Sequence, residues 1–127
     1  MKIKMIGLSA AALILAIWTS PALAHHGTAA YQEDKQVTVT GTVTGFEFAN
    51  PHTLLFLDVK QPDGTVLKWQ GEMTSPNHLV RAGWTRNTLR PGEQVTITGL
   101  PMKRGARSMW IRKIVKSDRT ELPLVME

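Results

Sequence analysis

A chain of 127 residues is one domain by length, and the absence of cysteine removes disulfides and thiolate metal sites. Fifteen Lys and Arg against ten Asp and Glu give a formal charge of +5. That is mildly basic, without the concentrated stripe of a nucleic-acid binder.

Residues 1–24 read as a signal peptide. Lys2 and Lys4 supply a positive start, Met5 to Trp18 is mostly apolar, and Pro21-Ala22-Leu23-Ala24 ends in a small-x-small pattern. The apolar run contains Gly7 and Ser9 and falls short of the roughly 20 residues that span a bilayer. Cleavage after Ala24 is therefore expected, with no stable membrane span afterwards and a periplasmic or secreted location. About a hundred residues remain, enough for a single core. Without Lys2 and Lys4 the formal charge falls to +3, which suits anionic lipid head groups or envelope glycans better than nucleic acid.

Residues 25–36, HHGTAAYQEDKQ, are small, polar and without period, and read as an N-terminal leader to a domain at 37–127. VTVTGTVTGFEF then alternates Val against Thr, the period of a half-buried strand, with Gly41 and Gly45 marking a bulge or tight curvature. Asn50-Pro51 breaks it, LLFLDVK is a second strand, and Pro62-Asp63-Gly64 a turn. VLKWQGEM is a third strand, with Leu67, Trp69 and Met73 on one face and Lys68, Gln70 and Glu72 on the other. Ser75, Pro76 and Gly83 bracket one short helix as N-cap, first-turn proline and terminating glycine. QVTITGL and SMWIRKIVK are strands four and five, with Trp110 on the face opposite Ile111. The basic loop Pro101–Arg107 joins them.

The order β-β-β-α-β-β with glycines in strand one predicts a mainly β, five-stranded OB-like Greek-key barrel with one short helix between strands three and four. A generic five-stranded α+β sheet is the competing architecture. A fold of this kind suggests a binding module without naming a ligand.

HHG at the mature start, VTVTGTVTGFEFANPHTLLFLDVK, and NHLVRAGWTRNTLRPGEQVTITG together resemble a family of small exported bacterial proteins of OB-like fold whose function is unassigned. Asn50-Pro51-His52 and Gly83-Trp84…Leu89-x-Pro91-Gly92 carry the resemblance. It implies an exported location and an OB-like fold, with no reaction attached.

The four histidines, His25, His26, His52 and His78, are the strongest metal-ligand candidates. In a three-strand meander the loop after strand one, which holds His52, lies at the same end as the exit of strand three, just before His78. The leader is long enough to bring His25 and His26 there, since extended chain covers about 3.3–3.6 Å per residue. Cleavage would also give His25 a free α-amine beside its ring. Nitrogen-rich coordination of that kind favours copper, with zinc next if four ligands assemble. Against this stand plainer roles: a solvated start for His25-His26, a turn hydrogen bond for His52, and a surface or capping position for His78.

A second hypothesis is a non-metal module that binds a glycan, lipid head group or protein partner through Trp69, Trp110, Lys103, Arg104 and Arg107. Core packing is the commoner fate of tryptophan. Enzymatic readings are weakest. Ser75, Ser108 and Ser117 lie in no nucleophile elbow, and Glu47 and Glu72 are simply the carboxylates nearest the histidine end. Neither the ligand nor the oligomeric state follows from these residues.

Overall fold

The structure, a computed structural model, describes residues 28–125. The alternating segments form β1 (Val37–Glu47), β2 (Thr53–Lys60), β3 (Val66–Met73), β4 (Gln94–Pro101) and β5 (Ser108–Lys116), with α1 (Pro76–Arg81) between β3 and β4. The strands close into a barrel in the order β1-β2-β3-β5-β4, with β4 paired back to β1. Every pairing is antiparallel except β3 with β5. This is the mainly β, five-stranded barrel with one short helix that the sequence predicts. Among the described residues no helix is long and apolar enough to cross a membrane.

Period-two patterning places one face of each strand inside. β2 buries Thr53, Leu55, Leu57 and Val59 while Leu54, Phe56 and Asp58 point outward. Val43, Met73, Val95, Ile97, Met109, Ile111 and Ile114 complete the interior, and Leu79, Trp84 and Leu89 join the same core from α1 and the segment after it. Trp84 is buried, with its Nε1–H donating to the Pro123 carbonyl at 2.6 Å. On the outer face of β1 and β4, threonines pair across the strands: Thr38 with Thr98 at 2.9 Å and Thr40 with Thr96 at 2.7 Å.

Gly45 sits at the expected bulge, where the β1–β2 register shifts between Val43 and Gly45. Gly99 answers a different need: a Cβ there would lie 2.1 Å from the Trp110 carbonyl oxygen, so only glycine lets β4 and β5 approach at their own register shift. Gly83 ends α1 with φ of +91°, as read from the sequence. Ser75 occupies the N-cap position, but its side chain makes no capping hydrogen bond; its carbonyl accepts from the His78 and Leu79 amides instead.

The seam between β3 and β5 is short. Only Gln70, Gly71 and Glu72 pair with Ser108, Met109 and Trp110, so Val66–Trp69 has a neighbouring strand on its β2 side alone.

Candidate functional site

Register determines which side chains meet outside the barrel. Leu54 pairs with Glu72, Glu72 with Trp110, and Trp110 with Leu100. His52, two residues before Leu54, shares that outer face by alternation. A row therefore runs across four strands from His52 through Glu72 and Trp110 to Leu100. Trp110 does lie opposite Ile111, yet it is only 5% exposed.

The leader covers it. Thr28–Tyr31 is a turn closed by the Tyr31 N–H donating to the Thr28 carbonyl at 2.9 Å, and Tyr31 bridges Met102. The Gln32 amide donates to the Pro101 carbonyl at 2.8 Å, and the Lys103 amide to the Ala30 carbonyl at 2.9 Å. Lys103 Nζ donates to the Ala29 carbonyl at 2.9 Å. These bonds press the Tyr31 ring onto the row, where it forms a small second core with Leu100, Trp110 and Met102. Tyr31 is 1% exposed, and its ring centroid lies 6.1 Å from that of Trp110.

Glu72 is the hub. The Tyr31 hydroxyl donates to its Oε2, and His52 Nδ1 lies 2.5 Å from its Oε1. In a neutral imidazole a carboxylate accepting at Oε1 sets the proton on Nδ1 and the lone pair on Nε2, a nitrogen to which no described residue is bonded. The His52 ring also stands edge-on to Trp110, with centroids 5.3 Å apart and planes at 84°. Burial, then the Glu72 carboxylate, hold the Tyr31 phenol well above its ordinary pKa. The buried Ser108 hydroxyl lies near enough to pull slightly the other way, without completing a hydrogen bond of ordinary geometry.

A carboxylate-oriented imidazole is chemically a ligand or a proton carrier. His78 belongs to the same corner: its Nδ1 lies 2.8 Å from Thr74 Oγ1, and the Thr74 carbonyl accepts from the amide of Thr53, next to His52. Among the described residues no group of three His, Cys, Asp or Glu is arranged to hold a metal ion. His25 and His26 lie outside the described residues.

The other candidates do not share one face. Trp69 is half-buried against the barrel core, on the face opposite Trp110, while Arg104 and Arg107 are exposed in the β4–β5 loop. Lys103 is exposed but tethered to the leader. Sequence reasoning did not single out Tyr31. Its one signal is chemical: it is the chain's sole tyrosine, a large amphipathic side chain in a segment otherwise small and polar.

No curated protein matches the chain. A family match covers residues 12–110, which include Tyr31, His52, Glu72 and Trp110. The chain belongs to that family, DUF6152, a family of unknown function.

Proposed function

We propose that the chain is an exported, non-enzymatic barrel protein that binds a copper ion on its outer face. The ligands are His52 Nε2 and, from the mature terminus, the His25 amine and ring, with His26 and His78 as the further imidazoles of that corner. One observation carries the reading: Tyr31 of the leader and His52 of the barrel hold the same carboxylate, Glu72. The segment that delivers the terminus is thereby docked beside the imidazole it has to meet. From Thr28, three residues of extended chain reach His25, about 10 Å at 3.3–3.6 Å per residue. Glu72 supplies what a ligating histidine ordinarily has, a carboxylate on its other nitrogen that sets tautomer and ring orientation. Nitrogen ligands without thiolate favour copper over other divalent ions.

Intact mass of envelope material establishes whether the chain starts at His25. Calorimetry and the copper EPR spectrum then compare that chain with one carrying a single added residue before His25, which keeps every imidazole and converts the amine to an amide. The extended form and His52→Ala are expected to lose most of the affinity, and Glu72→Gln about 10- to 100-fold. Equal copper affinity in the native and extended chains, or indifference to His52→Ala, overturns the reading.

A further inference from the structure

We propose that the open edge of β3 at Val66–Trp69 takes up an extended acidic segment of a partner protein as an additional strand. This goes beyond the copper reading and uses none of its ligands. Gln70 donates its amide to the Arg107 carbonyl at 3.0 Å, so even-numbered residues of β3 turn their backbone groups toward the β5 side. By alternation the N–H and C=O groups of Val66 and Lys68 face the same side, beyond the point where β5 begins. An unpaired strand edge is a template for another extended chain.

Side chains around the edge select the partner. Leu67 and Trp69 lie half-buried on the inner face, in line with buried Gly71 and Met73, and so offer apolar surface to one face of an added strand. Val66 is 49% exposed, one of few large apolar side chains left in solvent among the described residues. Two arginines bring unpaired positive charge to the end of the edge where the seam stops. Lys68 stands on the edge, its ammonium 2.7 Å from Asp58 yet largely exposed. Arg107 is fixed to Gln70 at the point where the seam stops, and neither it nor the exposed Arg104 has an ion-pair partner among the described residues. A second copy of this chain on the same edge would set Lys68 and the arginine loops against their own likenesses, and like charges across a strand pair are destabilising. A segment alternating apolar and acidic residues meets both the apolar inner rim and the arginines at the seam end.

The probe is a blocked peptide Glu-Val-Glu-Val-Glu-Val-Glu added to the metal-free chain beginning at His25, read by amide hydrogen exchange in NMR spectra. Val66 and Lys68 amides are expected to exchange about tenfold or more slowly at saturation, as newly bonded amides do. Affinity should fall with added salt and in the Arg104→Ser, Arg107→Ser double variant, whose substitutions lie in an exposed loop. The same peptide N-methylated on alternate amides should not protect the edge. Unchanged exchange at Val66 and Lys68, or equal protection by the Lys-Val counterpart, overturns the proposal. So does protection without peptide accompanied by dimerisation in sedimentation, which would assign the edge to a second copy.

Discussion

Replacing Tyr31 by Phe removes one oxygen and leaves the ring that covers Trp110. A hydrogen bond to a charged group contributes about 1.5–3 kcal/mol. Glu72 keeps His52 at its other oxygen and is still partly wetted, so the expected loss lies at the lower end, about 1–2 kcal/mol. Each kcal/mol moves the midpoint of a domain this size by roughly 4–8 °C, which puts the melt about 4–16 °C lower. Tyr31→Ala also empties the ring's site and should cost about 3–5 kcal/mol, as other buried aromatic truncations do. Hydrogen exchange locates the damage: the Gln32 and Lys103 amides, bonded to Pro101 and Ala30, should exchange faster while interior β2 amides are unchanged. A second arm uses pH. The unfolded phenol titrates near 10, while burial and Glu72 keep the native phenol protonated to higher pH. Above pH 10 the unfolded state therefore holds fewer protons than the native state, and this contribution, complete below pH 10, declines as pH rises. The decline should be shallower in Tyr31→Phe. An unchanged melting midpoint in Tyr31→Phe, or an alkaline decline identical to that of the parent, would refute the assignment of Tyr31 as the latch of the leader.

Trp84→Phe keeps the ring burial but loses the bond to the Pro123 carbonyl, and should cost about 1 kcal/mol from the hydrogen bond alone in urea titration. Gly99→Ala places its methyl against the Trp110 backbone and should cost about 1–3 kcal/mol or more as overpacking. Gly71→Ala meets side-chain carbons rather than backbone, Ile111 Cδ1 at 2.3 Å and Cγ1 at 2.8 Å and Ile97 Cδ1 at 3.4 Å, so its thermal midpoint should fall less.

Most of the barrel was legible because its strands keep a period of two over most of their length, broken at the register shifts of β1 and β4. The Val-Thr alternation of β1, the faces of β3 and the opposition of Trp110 to Ile111 are all as read. Glu72 was recognised as one of the carboxylates nearest the histidine end, and it bonds His52. What periodicity cannot convey is which face of β5 is covered, because the cover comes from a segment without any period. Tyr31 reaches Trp110 through a turn and bonds to Pro101, Met102 and Lys103, all distant in sequence. The capping role expected of Ser75 fails for a related reason: residue type and position were correct, but whether a hydroxyl turns toward the helix is decided by its rotamer.

The strand order also sets a timetable. β1, β2 and β3 form a local meander, but closure needs residues 37–42 to find residues 94–99, and β3 to receive β5 from beyond the helix. Such distant pairings are slow to nucleate, because chain entropy is lost before the contacts return it, and barrels dominated by them fold in milliseconds to seconds. Tyr31 lands on a surface built from β3, β4 and β5, so its docking site does not exist until the last strand is in place. The leader segment that carries Tyr31 is thus the last to settle, and its arrival marks a completed barrel.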